Sequence, residues 1–142
     1  MANVKQTSRG LRNNNPGNIR LSGTKYEGEI QPSRDKAFKQ FKSMAYGYRA
    51  MFMLLYTYQK RHGLRTISQM ISRYAPATEN STESYISAVS KDSGVGPDVA
   101  ITATYKDVMV PIVAAMSRVE NGVPAVMADV QEGWQLFIGS VR

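Results

Sequence analysis

The residue with the strongest claim to chemistry is Glu120. It closes the stretch 108–122, VMVPIVAAMSRVENG. Within that stretch Val108, Met109, Ile112, Val113, Met116 and Val119 recur at spacings of three and four, the period of one buried helix face. Asn121 and Gly122 follow as a left-handed stop signal. A carboxyl group at the end of such a helix is partly withdrawn from water. Desolvation disfavours its charged form and raises its pKa, as a general acid working near neutral pH requires. The plainer reading is a solvated glutamate ahead of a helix cap, and the local pattern alone favours it.

The other acidic residues have simpler jobs. Glu83 and Asp107 fit capping boxes, three residues after Asn80 and Thr104. Asp92, Asp98, Asp129 and Glu132 fall at polar helix or loop ends. Glu27, Glu29 and Asp35 lie on an expected hairpin among lysines, where solvent exposure is the simplest assignment. That leaves Glu79, in the loop APATENST, beside Glu120. His62 is the only histidine and there is no cysteine, which excludes thiolate chemistry and disulfides and argues against histidine triads and multi-histidine metal sites. No cofactor is expected. Glycoside cleavage needs a carboxylic acid that protonates the leaving oxygen, and Glu120 fits that role.

The elements that must position these groups can be read in turn. Residues 1–8 are polar and read as a loose N-terminus, and 9–142 as one domain. RGLRNNNPGNIR, 9–20, holds three adjacent asparagines, a proline and two glycines. It reads as a loop without regular helix or strand, pinned by Leu11 and Ile19. Its uncharged amides suit either self-bracing turns or a hydroxyl-rich ligand such as a sugar. Residues 25–30 and 37–41 read as a small hairpin with a long turn. Ser43 caps a helix over 44–61 with Tyr48, Met51, Phe52, Leu55 and Tyr58 as its core stripe, ended by Gly63. Thr66 caps a second, with Ile67, Met70, Ile71 and Tyr74, ended at Pro76. A third starts at Ser81 behind Asn80 and carries Tyr85, Ile86 and Val89. The glutamate helix opens at Thr104 and contains Pro111, which costs a hydrogen bond and should bend it. A last helix carries Val126, Val130, Trp134 and Phe137. The expected fold class is mainly α: about five helices with a small N-terminal hairpin.

The chain has 142 residues, of which 42% are hydrophobic, and a net charge of +7. Such a charge attracts polyanions: nucleic acid, a membrane surface or a bacterial wall. The basic residues are spread and form no single run, so the sequence names no one partner. No apolar run is long enough for a membrane span, and the N-terminus lacks the apolar centre of a signal peptide. The glycine-bearing loops lack a phosphate-cradle pattern.

Four stretches together resemble a family of bacteriophage and prophage proteins labelled lysozyme-like or virion structural: RGLRNNNPGNIR, the segment with Phe38, Phe41, Ser43, Gly47, Arg49 and Ala50, RYAPATENSTESYISAV with GVGPD, and the helix ending ENG. The cystovirus muralytic enzyme is related in kind. In outline the family is similar to lytic transglycosylases and flagellar muramidases. The resemblance implies a lysozyme-like α+β fold with Glu120 as the catalytic glutamate. It implies Tyr85 in the place of the T-x-x-Y tyrosine with Thr82 beside it, a cleft lined by Asn14, Asn15 and Asn18, and Glu79 near that cleft or bracing its loop. Because the glutamate helix is late and the asparagine segment early, the order resembles a circular permutation of the lysozyme-type fold. Tyr26 departs from the family's tryptophan, and Pro111 interrupts the glutamate helix.

The expected function is cleavage of the glycosidic bond between N-acetylmuramic acid and N-acetylglucosamine, as a lytic transglycosylase or a lysozyme. The partner would be peptidoglycan, with other virion proteins as further candidates and no specific nucleic acid. The protein would sit in a virion or in the host cytoplasm before delivery to the wall. Three other readings stay open: a peptidoglycan endopeptidase, a non-catalytic virion or wall-binding protein of the same fold, and a nucleic-acid binder suggested by charge alone.

Overall fold

The computed structural model describes residues 7–76 and 81–141. It is mainly helical. Helices α1 (Arg9–Arg12), α2 (Met44–His62), α3 (Ile67–Tyr74), α4 (Thr82–Ser93), α5 (Lys106–Asn121) and α6 (Met127–Val141) accompany one two-stranded antiparallel sheet of β1 (Glu29–Ile30) and β2 (Gln40–Phe41). Glu29 pairs with Phe41 and Ile30 with Gln40, and an isolated bridge joins Arg20 to Phe38. The hairpin is thus shorter than its β-prone sequence.

Helix α2 is the central element. Its stripe Tyr48, Met51, Phe52, Leu55 and Tyr58 is buried, as the period requires. Phe52 meets Trp134 edge-on at 5.1 Å and Phe137 at 5.8 Å, so α2 and α6 share an aromatic core. Gly133 lets the two helices touch: a Cβ there would stand 2.6 Å from Tyr48 Cβ and 2.8 Å from the Ala45 carbonyl. Truncating a fully buried aromatic such as Phe52 to alanine costs about 3–5 kcal/mol. Helix α5 packs between α4 and α6, and its face of Met109, Ile112, Val113 and Met116 is buried. The Tyr48 hydroxyl and Ser117 Oγ, 2.8 Å apart, tie α2 to α5.

Several expectations are corrected. Residues 9–12 form a helical turn, because Ser8 Oγ accepts the Leu11 N–H and caps it. Helix α5 begins at Lys106 behind Tyr105, so Thr104 and Asp107 form no capping box. It continues through Pro111, its sixth residue, which cannot donate the helical hydrogen bond to the Asp107 carbonyl. Helix α4 starts at Thr82, and its Ser81 cap makes no side-chain bond to a backbone N–H, donating instead to Ser84 Oγ at 2.9 Å. Asn80 lies outside the described residues. Val119 and Val126 are exposed, at the ends of their expected stripes. Glu29 and Asp35 are not solvated. Glu29 pairs with Lys39 at 3.1 Å with both side chains buried, and Asp35 accepts both Arg9 Nε and Nη2 at 2.7 Å. The Arg9 guanidinium and the Ala37 N–H hold the Asp35 carboxyl well below the usual range. Glu27 is exposed, 3.3 Å from Arg49.

Candidate active site

Residues 13–20 are a loop held from inside. Asn15 is fully buried; its amide donates to the Ile19 and Lys39 carbonyls at 3.0 and 2.9 Å, and its Oδ1 accepts the Ile19 N–H at 2.9 Å. Asn14 donates to the Phe41 carbonyl at 3.2 Å. Asn14 and Asn18 sit at φ of 52° and 48°, a left-handed conformation that asparagine tolerates better than most residues. The far side of the loop is tied to the end of α5. Asn121 Nδ2 donates to the Pro16 carbonyl at 2.8 Å and to the Ser117 carbonyl at 2.9 Å. Its Oδ1 accepts Ser8 Oγ at 2.6 Å. Gly122, at φ 74°, then ends the helix.

This clamp delivers Asn18 to Glu120. Asn18 Nδ2 donates to Glu120 Oε1 at 3.0 Å, and the Tyr85 hydroxyl donates to Oε2 at 2.9 Å. Burial raises the Glu120 pKa; the Asn18 and Tyr85 hydrogen bonds and the Arg20 charge pull it down, and burial wins. Tyr85 is 4% exposed, and burial together with Tyr74 and Glu120 pushes its phenol far up, so it stays a neutral donor. Tyr74 is raised by burial first, then by Glu120, Tyr58 and Tyr26, and its hydroxyl donates to the Gly17 carbonyl.

Glu120 opens on a cleft of about 430 Å³ whose walls include Asn18, Arg20, Phe38, Tyr58, Arg73 and Tyr74. Arg20 lies over Phe38 at 5.0 Å and Arg73 over Tyr58 at 5.4 Å. Among the described residues, Glu120 is the only carboxylate lining it, and no cluster of metal-binding side chains occurs. Chemically, the arrangement is a protonatable carboxyl, two neutral donors that orient it, and aromatic walls flanked by cations.

The fold brings Glu120, Tyr85 and Asn18 together, across 102 positions for Asn18 and 35 for Tyr85. Asn14 and Asn15, expected in the cleft, instead brace its loop with their amides. Thr82 is also a brace: its hydroxyl donates to the Ala75 carbonyl at 2.6 Å, fixing one wall. Glu79 lies outside the described residues. Sequence reasoning missed Arg20, Arg73, Tyr74 and Asn121. Asn121 carried a signal, as the residue after the glutamate, but was read only as a stop. Tyr74 was read as core stripe, and the two arginines were lost in a generally basic chain.

A small, mainly helical protein with a buried carboxyl at a helix end and an asparagine loop clamped against it is the class that fold and geometry define. No protein-family profile matches the chain. It is 35% identical over 137 residues to "Protein P5" of Pseudoalteromonas phage PM2, covering 93% of this chain and 83% of that protein. The chain belongs to the family of that bacteriophage protein.

Proposed function

We propose that the protein cleaves the glycan strands of peptidoglycan, with Glu120 as general acid and base. The observation that carries this reading is the Glu120 carboxyl itself: raised by burial, oriented by two neutral donors, and opening on a cleft. A carboxyl in that state can protonate the bridging glycosidic oxygen between N-acetylmuramic acid and N-acetylglucosamine. The resulting carboxylate then takes a proton from the muramic 6-hydroxyl, giving an anhydro end, or from water. Tyr85 and Asn18 hold the carboxyl through both steps, since each can keep donating to the anion. A second carboxylate opposite the acid is the mark of hydrolytic glycosidases. None lines the cleft among the described residues, which favours the transglycosylase route.

The sequence resemblance to lysozyme-like phage proteins supports the same reading, and the kinship with a phage protein fits the bacteriophage source of those proteins. On it, the fold is a permuted relative of the lysozyme type, and the protein acts on the wall from the virion or after synthesis in the host. The test is turbidity loss of purified walls with wild type and Glu120→Gln. Loss with wild type alone is the expected result, and equal rates would overturn the proposal. Mass spectrometry of the released fragments, read for anhydromuramic ends, separates transglycosylase from lysozyme.

A further inference from the structure

A second basin of about 450 Å³ adjoins the Glu120 cleft, and the two share Leu54, Tyr58 and Arg73. The shared wall follows from helix geometry. Leu54, Thr57, Tyr58 and Arg61 fall at i, i+3, i+4 and i+7 of α2, which is one helix face. Opposite them the second basin is walled by Lys25 and Tyr26, which precede β1.

Its charge is one-sided. Lys25, Arg49, Arg61 and Arg73 line it, against the single carboxylate of Glu27. Arg49 is 7% exposed, and its Nε is buried without a hydrogen-bond partner among the described residues. Burial pushes the Tyr58 phenol up to about 12, so it adds no negative charge at neutral pH. A concave basin with this lining attracts an anionic group small enough to enter, and guanidinium groups suit a carboxylate geometrically.

We infer that this second basin binds carboxylates carried by the wall glycan strand, an inference that rests on reading the neighbouring cleft as the glycan-cleaving site. The sugar rings of the strand are neutral. Its anionic groups are carboxylates, borne either by the lactyl ether of the muramic residue or by the peptide attached to it. A strand lying in the Glu120 cleft would extend such a group along the α2 face toward Arg61 and Lys25. Duplex nucleic acid, a wide rod, does not fit a concavity of this size.

The experiment measures affinity, not turnover. Fluorescent ligands at about 50 mM salt are titrated with Glu120→Gln, alone and with Lys25→Gln and Arg61→Gln added; both of these side chains are exposed. The ligands are peptide-bearing strands, amidase-stripped strands that keep only the lactyl carboxylate, neutral chitin oligomers, and a single-stranded DNA oligonucleotide. The two added substitutions should weaken binding of carboxylate-bearing strands about five- to twentyfold and leave chitin oligomers unchanged; removing two cationic contacts accounts for a loss of that order. Loss confined to peptide-bearing strands assigns the carboxylate to the peptide; loss confined to stripped strands assigns it to the lactyl group, whose carboxyl is amide-bonded wherever a peptide is attached; loss on both shows that the basin takes either carboxylate. Unchanged strand affinity, an equal loss on chitin, or DNA binding tighter than either strand overturns the inference. Wild type that cleaves walls while these affinities stay unchanged removes the inference alone. The expected affinity pattern in a protein that cleaves nothing removes the catalytic proposal alone.

Discussion

Two half-buried glutamates in this protein are held in opposite ways. Glu29, under the hairpin, meets the Lys39 ammonium at 3.1 Å and also accepts the Tyr26 N–H at 3.0 Å. Lys39 in turn donates to the Thr24 carbonyl at 2.7 Å, and both side chains are at most 2% exposed. The charge of Glu29 is matched on the spot. Glu120 meets an amide and a phenol, both neutral, and Arg20 pulls on it only as the last of several effects. Two carboxylates of one chemistry thus do different work because their partners differ. A carboxylate with its own cation is part of the scaffold. One given only neutral donors in a buried place can gain and lose a proton as part of a reaction.

The largest test of that contrast is Glu120→Gln. General acid–base catalysis typically contributes about 10²–10⁴-fold, so wall lysis should fall by that factor. Stability should stay level or rise, because a buried, cation-poor carboxyl is a site where activity opposes stability. The pH dependence has a definite sign. With its folded pKa above the ordinary 4.5, Glu120 contributes stability at low pH, and that contribution is lost as pH rises through the raised value. Denaturation midpoints of wild type and Glu120→Gln should therefore diverge over that window, wild type losing more. Parallel curves would remove the special status of Glu120.

Lys39→Met should do the reverse. It leaves Glu29 buried without its cation, a change that costs about 3–5 kcal/mol in denaturant unfolding, while the folded fraction keeps its lytic activity per molecule. A cost below about 1 kcal/mol would show that the pair is not what holds the hairpin. Asn121→Ala comes next. It takes the side-chain donor from the Pro16 carbonyl, at about 1–3 kcal/mol. Activity should fall further than the stability loss explains, because the loop carrying Asn18 is released. Activity that tracks the folded fraction alone would make Asn121 a simple helix cap. Tyr85→Phe is the smallest change, costing about 1 kcal/mol of stability. Since Tyr85 pulls the Glu120 pKa down, its removal should move the alkaline limb of the lysis–pH profile to higher pH. A shift to lower pH would contradict the hydrogen bond's direction.

Much of this molecule was legible before any coordinates. Periodicity placed the five long helices, and the stripe of α2 is buried as the spacing of Tyr48, Met51, Phe52, Leu55 and Tyr58 requires. Ser43 and Thr66 cap their helices through the expected side-chain bonds. These features depend on residues within one or two turns of each other, where sequence spacing and spatial spacing coincide. Other local signals misled. The Thr104 and Asp107 pair looks like a cap but is not one, and Glu29 and Asp35 looked solvated although each has a cation, Lys39 ten residues on and Arg9 twenty-six residues back.

The candidate site divides along the same line. The sequence by itself determined that Glu120 would end an apolar helix, because helix period and stop signal are local properties. It also singled out the asparagine loop and Tyr85, without separating the amides that brace from the one that reaches the carboxyl. Only the tertiary structure decided that Asn18 faces Glu120 while Asn15 turns inward. That choice depends on the left-handed turn at Asn18 and on the clamp from Asn121, 105 residues away from Pro16. Only the fold gathers Arg20, Arg61 and Arg73, scattered along the chain, onto two adjoining concavities. Charge and burial act through space, and for groups this far apart in sequence the distances exist only once the helices have packed.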